Sequence, residues 1–202
     1  MNATDKKTQA EITPAKGIRL LKEGNQRFQN NKQESHEFSQ EIKATTQGQF
    51  PFATILSCID SRVPAEIVFD QGIGDLFSIR IAGNVISDDV LGSMEFGAKL
   101  AGAHLIVVMG HTSCGAVTGA CNDVQTGKLT GLLAKIKPAI EQTKDEKDAK
   151  TFVNKVSAKN VALAITEIRN RSEILKEMEE NGTIRIIGAM YDITTGEVGF
   201  YE

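Results

Sequence analysis

Several features that would assign a class of protein at once are missing from this chain of 202 residues. It has no tryptophan, two tyrosines and three cysteines. Three cysteines are too few for the disulfide framework of a small secreted domain, so metal binding or burial better explains these thiols. No apolar run reaches the ~18 residues of a membrane span, and the first residues lack the apolar stretch of a secretory signal. We expect a soluble, cytoplasmic protein with no membrane partner, although a secreted form whose signal had been removed would look the same.

The chain also lacks an excess of charge of either sign. It has 23 Lys and Arg residues and 26 Asp and Glu residues, which gives a formal net charge of -3. No basic run is interleaved with aromatic residues, which argues against nucleic acid as a partner. With 41% hydrophobic side chains, the chain suffices for one sizeable core and is short for two. We predict a single domain over residues 1–202, with 1–12 as a flexible polar lead.

Helical and strand-like patterns alternate along the chain. Residues 13–32 have a capping Thr13, a proline at the first helical position and an amphipathic pattern, which together predict a helix. The polar stretch 33–48 is predicted to be a linker with at most a short helix. A helix capped by Asp88 or Asp89 follows the turn at Gly83. Apolar runs typical of strands occur at 52–56, 76–81 and 104–109, and two more flank the turn TTGE near the end of the chain.

This alternation predicts an α/β fold with a mainly parallel central sheet flanked by helices, and an antiparallel hairpin at the C-terminal end. The region 115–181 is mostly helical in pattern, with breaks near Asn122 and at the charged run KDEKDAK, 144–150. In such sheets a ligand site lies beyond the carboxyl ends of the strands. Reactive side chains are therefore expected at the predicted strand ends.

Three candidate metal ligands follow two of these strands. Cys58 comes after the strand at 52–56, and His111 and Cys114 come after the strand at 104–109. Zinc takes thiolate and imidazole ligands in a tetrahedron, and a catalytic site leaves one position open. Cys121 lies seven helical residues beyond Cys114, a rise of roughly 10 Å, so we interpret it as a buried apolar residue and not a fourth ligand.

A carboxylate and a guanidinium follow the first cysteine closely. Asp60 comes two residues after Cys58, so both side chains can face the same side of an extended segment. The planar fork of Arg62 can hold that carboxylate in two parallel hydrogen bonds and keep it ionised. We expect Asp60 to accept the proton of a water molecule at the metal. If Arg62 released it, Asp60 could instead become a fourth ligand.

The strings CIDSR at 58–62 and HTSCG at 111–115 resemble the two signatures of the β-class carbonic anhydrases, C-x-D-S-R and H-x-x-C-G. The resemblance covers roughly residues 50–121. It implies that Cys58, His111 and Cys114 bind one Zn²⁺ per subunit and that Asp60 and Arg62 form the neighbouring catalytic pair. The implied reaction is the reversible hydration of carbon dioxide to bicarbonate.

The resemblance also implies three residues on the substrate side. Gln49 matches a glutamine of plant-like members, Gly115 matches a glycine whose backbone N–H faces the substrate, and Phe77 matches an aromatic residue that lines the pocket across a dimer interface. It further implies that the N-terminal helix packs on a partner subunit, in a dimer or a tetramer.

Some positions depart from the family pattern. Phe96 stands where plant-like members have a tyrosine, and Ala82 replaces a larger apolar residue. Because of these departures, the resemblance does not specify the shape of the pocket. The bicarbonate-regulated branch has a tryptophan where this chain has Ile55, which disfavours that branch although Arg80 matches its arginine. We therefore predict the plant-like branch.

Two other functions fit the same residues. Carbonyl sulfide or carbon disulfide could be hydrolysed on the same fold with the same metal chemistry. In a different class, a non-catalytic scaffold protein could use zinc only to join two strand ends. The pair Asp60 and Arg62 and the lack of a credible fourth ligand count against the scaffold. A phosphate or dinucleotide site at GIGD or RIAGN is disfavoured, because neither string has the G-x-G-x-x-G pattern.

Overall fold

A computed structural model describes residues 4–143 and 148–201, with the side chains of 149 and 150 left out. Its helices are α1 Lys6–Glu11, α2 Pro14–Gln29, α3 Phe38–Thr45, α4 Ala65–Val68, α5 Asp88–Glu95, α6 Gly115–Cys121, α7 Gly127–Ala134, α8 Lys137–Glu141, α9 Ala149–Arg171 and α10 Glu173–Glu180. Its strands are β1 Ala53–Ser57, β2 Leu76–Arg80, β3 Leu105–His111, β4 Arg185–Tyr191 and β5 Val198–Tyr201. A 3-10 turn spans Ala82–Asn84, and a π-helical turn at Phe96–Leu100 extends α5.

The strands form one five-stranded sheet in the order β2-β1-β3-β4-β5. The first four strands are parallel, and β4 pairs with β5 in antiparallel fashion. This confirms the predicted α/β fold with its C-terminal hairpin. Because β1 and β3 are direct parallel neighbours, the segments that follow them emerge at the same edge of the sheet.

Helices cover both faces of the sheet. One face packs against α2 and α4, with Leu21 and Phe69 among the fully buried side chains. The other face packs against α5, α9 and α10, with Met94 and Ile168 fully buried. All seven residues of β3 are buried, which explains the continuous apolar run that predicted this strand. The buried strands β1 and β3 give the site at their ends a rigid support.

Residues 1–12 were predicted to be a flexible lead, but Lys6–Glu11 form helix α1. The side chain of Asp5 caps this helix by accepting a hydrogen bond from the Thr8 N–H. Gln9 is buried, and its Nε2 donates to the backbone carbonyls of Pro51 and Ala101, each at 2.8 Å. This helix could not be recognised from its polar composition, because hydrogen bonds, and not a stripe of apolar side chains, hold it against the rest of the protein.

Other local predictions were close. Thr13 caps α2 and a proline begins it, as predicted, and α3 is the short helix within 33–48. Helix α5 is capped by Ser87, whose side chain accepts from the Val90 N–H, so the prediction of an aspartate cap was wrong by one residue. The helical region breaks at Asn122 as expected. Most of the predicted break at 144–150 lies outside the described residues.

None of the helices in the described segments has the length and apolar character needed to cross a membrane.

Candidate metal centre

The two predicted strand ends meet at one place. Cys58 follows β1 directly, His111 is the last residue of β3, and Cys114 is the N-cap residue of α6. One potential ligand atom from each residue lies within 4.8 Å of the other two, and all three residues are buried. The sulfur atoms of the two cysteines are 3.9 Å apart. The structure thus brings together the three residues that the sequence predicted as ligands.

The donor atoms suit a tetrahedral ion. With Zn–S bonds of about 2.3 Å and a tetrahedral angle, two ligand sulfurs lie roughly 3.8 Å apart, which matches the observed separation. His111 Nδ1 lies 2.9 Å from the Thr112 carbonyl oxygen, and since that oxygen only accepts, Nδ1 carries the proton. His111 Nε2 is left buried with no hydrogen-bond partner among the described residues. A buried lone pair beside two thiols fits a metal ion such as zinc.

The two thiols influence each other's ionisation. A hydrogen bond from Cys114 is the main cause that holds the pKa of Cys58 well below its usual value, with His111 and the Gly83 N–H acting in the same direction against the effect of burial. The same hydrogen bond, together with burial, raises the pKa of Cys114. Binding of a metal ion by both sulfurs would require both thiols to lose their protons.

Asp60 and Arg62 are joined by the two parallel side-chain hydrogen bonds that the sequence predicted. Asp60 Oδ1 accepts from Arg62 Nε at 2.9 Å, and Asp60 Oδ2 accepts from Arg62 Nη2 at 2.7 Å. The Arg62 side chain is the main cause that depresses the pKa of the Asp60 carboxyl, which burial alone would raise. Asp60 Oδ2 lies 3.9 Å from His111 Nε2, at the edge of the three-residue cluster. The carboxylate is thus ionised, fixed and next to the position that a metal ion would occupy.

Other side chains hold the backbone of the two ligand segments, and the sequence did not predict these roles. Arg80, on the edge strand β2, donates to the carbonyls of Cys58 and Asp60 at 3.1 and 2.6 Å. The Ser113 N–H donates to Asn154 Oδ1 of α9 at 2.9 Å. Ser113 has a φ of 53°, an unusual conformation for a residue with a Cβ, so this contact restrains a strained position between two candidate ligands.

A cavity of about 470 Å³ opens in front of this centre. Its wall includes the candidate ligand Cys58, the acidic side chain of Asp60 and several apolar residues from α6 and α7. At its mouth Ile59, Val124 and Leu129 are 59%, 42% and 38% exposed. The cavity is therefore mainly apolar, with one carboxylate near its base.

The predicted substrate-side residues fall into two groups. Gly115 lines the cavity and begins α6, where backbone N–H groups lack partners within the helix. Phe77 pairs with Thr54 near the amino end of β2, about 13 Å along the sheet from the level of Cys58. Gln49 is exposed and precedes the amino end of β1. The structure does not bring Gln49 or Phe77 to the centre within one chain.

Cys121 stands apart from the centre. It is the last residue of α6 and lies outside the three-residue cluster. It is half-buried, where the sequence predicted a buried residue, and it packs at the margin of the apolar cluster that contains Val117 and Leu133. Its separation from Cys114 along a helix agrees with the reason for which it was excluded as a ligand.

Fold and site together define an α/β protein with a candidate transition-metal centre at the carboxyl edge of its sheet. The sequence model of the carbonic anhydrase family matches residues 53–198. Carbonic anhydrase 2 of Mycobacterium tuberculosis is 35% identical over 91% of this chain and 90% of its own length. A carbonic anhydrase of Mycolicibacterium smegmatis is 35% identical over 92% of each chain.

Solved structures agree with these relatives. A tetrameric β-carbonic anhydrase from the ascomycete Sordaria macrospora superimposes with a TM-score of 0.75, at 22% identity, over 91% of this chain and 96% of its own. The chain belongs to the β-carbonic anhydrase family. Its assignment to the plant-like branch stays a prediction.

Proposed function

We propose that this protein catalyses the reversible hydration of carbon dioxide to bicarbonate and a proton, with one Zn²⁺ per subunit held by Cys58, His111 and Cys114. The observation that carries the proposal is the buried, unpartnered Nε2 of His111 among two sulfurs spaced 3.9 Å apart. A donor set of this kind leaves one tetrahedral position free. Membership of the carbonic anhydrase family supports the same reaction.

The bound zinc would supply a Lewis acid that makes a water molecule acidic enough to lose its proton near neutral pH. The protein residues then have separate tasks. Asp60 accepts the proton of that water in a hydrogen bond, because its carboxylate is ionised and lies beside the free position. Arg62 keeps Asp60 in this orientation and prevents the carboxylate from turning to the metal as a fourth ligand.

The cavity suits a small apolar substrate. Carbon dioxide carries no net charge, and the apolar wall from α6 and α7 receives it without requiring a hydrogen-bond partner at every point. We propose that the backbone N–H of Gly115 faces one of the substrate oxygens. Bicarbonate, the charged product, leaves through the mouth between Ile59 and Leu129.

We further propose that the active assembly contains at least two copies of the chain. Gln49 precedes the amino end of β1 and Phe77 lies near the amino end of β2, so they can serve a site only in another copy. Phe77 packs edge-on against Phe96, with ring centroids 6.1 Å apart, and Phe96 is 47% exposed. The tetrameric relative from Sordaria macrospora is consistent with such an assembly. Dimer and tetramer can be separated by light scattering.

Stopped-flow measurement of carbon dioxide hydration, with zinc quantified in the same sample, tests the proposal. One zinc per chain and rapid hydration are expected. Zinc at full occupancy without hydration would contradict catalysis and favour the scaffold role. Release of sulfide from carbonyl sulfide or carbon disulfide, faster than hydration of carbon dioxide, would assign the site to the alternative substrates.

A further inference from the structure

Gly83 lies between a candidate ligand and the long helix α9. Its backbone N–H donates to the sulfur of Cys58 at 3.3 Å. Its carbonyl accepts a hydrogen bond from Asn160 Nδ2 at 2.8 Å. Gly83 is thus held from both sides, by a sulfur that would bind metal and by a side chain 77 positions further along the chain.

The position favours glycine for two reasons. The φ of Gly83 is 67°, a left-handed conformation that residues with a Cβ adopt at a cost. A Cβ at this position would also approach Ile136 Cδ1 to 2.8 Å, so the Ile136 side chain would have to move.

All three members of this contact chain are shielded from water. Cys58 and Asn160 are 3% and 5% exposed, and Gly83 is buried between them. The Gly83 carbonyl thus relies on the buried Asn160 side chain as its donor. Loss of Asn160 would remove this restraint on the turn at Gly83, whose N–H on the other side donates to the Cys58 sulfur.

We propose that Asn160 is a positioning residue of the metal centre: it holds the turn at Gly83 so that the Gly83 N–H stays hydrogen-bonded to the Cys58 thiolate. A hydrogen bond to a metal-bound thiolate withdraws electron density from the sulfur and weakens its donation to the metal. Asn160 thus influences the electron density on the Cys58 sulfur without contacting that sulfur. This inference rests on the proposed role of Cys58 as a ligand.

The test uses the cobalt-substituted holoenzyme, in which thiolate-to-cobalt charge transfer reports the electron density on the sulfur. Asn160→Leu keeps the approximate size of the side chain and removes the donor. The charge-transfer band is expected to move to longer wavelength, because a thiolate without its hydrogen bond gives up electron density more readily. The matched control is Asn170→Leu on the exposed part of α9, which should leave the band in place.

A second measurement needs no substitution. In the protein loaded with cadmium-113, a hydrogen bond from Gly83 to a metal-bound sulfur transmits scalar coupling between the Gly83 amide proton and the cadmium nucleus. We expect this coupling in the wild-type protein, and its loss in Asn160→Leu if that variant folds. The coupling in the wild-type protein tests the hydrogen bond from Gly83 to the Cys58 sulfur even if the variant does not fold.

The outcomes separate this inference from the proposed function. A cobalt-loaded Asn160→Leu variant whose band is unmoved, or a cadmium-loaded wild-type protein without coupling at Gly83, would overturn the positioning role while leaving the metal site intact. If wild-type protein binds neither cobalt nor cadmium through thiolates, the proposed metal centre itself fails.

Discussion

The sulfur atoms of Cys58 and Cys114 lie 3.9 Å apart although 56 positions separate them in the chain. No local structure joins these residues. They meet because β1 and β3 are adjacent parallel strands, so that whatever follows each strand emerges at one edge. The candidate metal centre is therefore a product of strand order, and the proposed chemistry depends on it.

The ligand assignment predicts different outcomes for the cysteines. Cys58→Ser should lower the zinc content per chain more than about ten-fold, because a serine hydroxyl does not ionise readily and is a poor zinc ligand. Cys121→Ser is the matched control, since this thiol lies outside the cluster, and it should keep wild-type zinc. Elemental analysis after gel filtration gives both values. Full zinc in Cys58→Ser would remove this residue from the ligand set.

The role of Asp60 predicts a loss of rate without a loss of metal. Asp60→Asn is nearly the same size, but its amide cannot accept a proton as the carboxylate does. Hydration should slow on the order of 10²-fold while zinc remains bound. Stopped-flow kinetics and zinc analysis on one sample separate these effects. An Asp60→Asn variant with the wild-type rate would show that the carboxylate takes no part in proton transfer.

The donor set predicts how the rate depends on pH. Two thiolates cancel the formal charge of a zinc ion, so the water that it polarises should be less acidic than one beside three neutral imidazoles. Hydration should therefore become faster as the pH is raised from 6 to 9. Stopped-flow rates at constant ionic strength check this trend. A flat profile over that range would argue that another group limits the reaction.

A buried charge network far from the centre predicts an effect on stability. Glu41 Oε1 lies 2.9 Å from His36 Nδ1, and Glu41 Oε2 accepts from the Ile73 N–H at 2.9 Å. Burial would raise the pKa of Glu41, but these hydrogen bonds outweigh burial and lower it. Arg27 and Asp70 extend the network on the other side of His36. The ionised Glu41 thus ties α3 to the loop before β2.

Glu41→Gln should lower the free energy of unfolding by about 1–3 kcal/mol at pH 7, since it removes charge-assisted hydrogen bonds from a buried site. Because the folded-state pKa is lowered, the contribution of Glu41 is complete above about pH 4.3 and is lost as the pH falls through the folded value. The difference from wild type should therefore shrink in acid.

Urea unfolding of metal-free protein at several pH values measures this difference without a contribution from metal loss. Glu23→Gln is the matched control, because Glu23 pairs with Arg19 on an exposed surface of α2 and its loss should change stability by less than about 0.5 kcal/mol. A stability difference for Glu41→Gln that stays constant down to pH 3 would contradict the assigned ionisation.

Much of the fold could be predicted from sequence because its signals are local. The apolar runs of β1 and β3, the proline at the start of α2 and the turn before β5 each specify their own element. The helix α1 gave no such signal, since it is held by the hydrogen bonds of Gln9 to distant carbonyls. At α5 several polar residues in a row could each serve as the cap, and Ser87 does.

The candidate metal centre could likewise be predicted from the sequence only in part. Residue types and strand ends predicted that Cys58, His111 and Cys114 would meet. The contacts of Asn160 and Arg80 with the ligand segments could not be predicted, because an asparagine within a helix or an arginine on a strand carries no sign of a backbone partner many positions away. The proposed substrate-side roles of Gln49 and Phe77 would need a second copy of the chain, which a single sequence does not describe.

The most direct test of the account is X-ray absorption spectroscopy at the zinc edge of the purified protein. Two sulfur neighbours at about 2.3 Å and two nitrogen or oxygen neighbours at about 2.0–2.1 Å are predicted, from two thiolates, one imidazole and one water. A shell of three or four sulfurs, or a shell without sulfur, would contradict the assignment of Cys58, His111 and Cys114 as the ligands of a catalytic zinc.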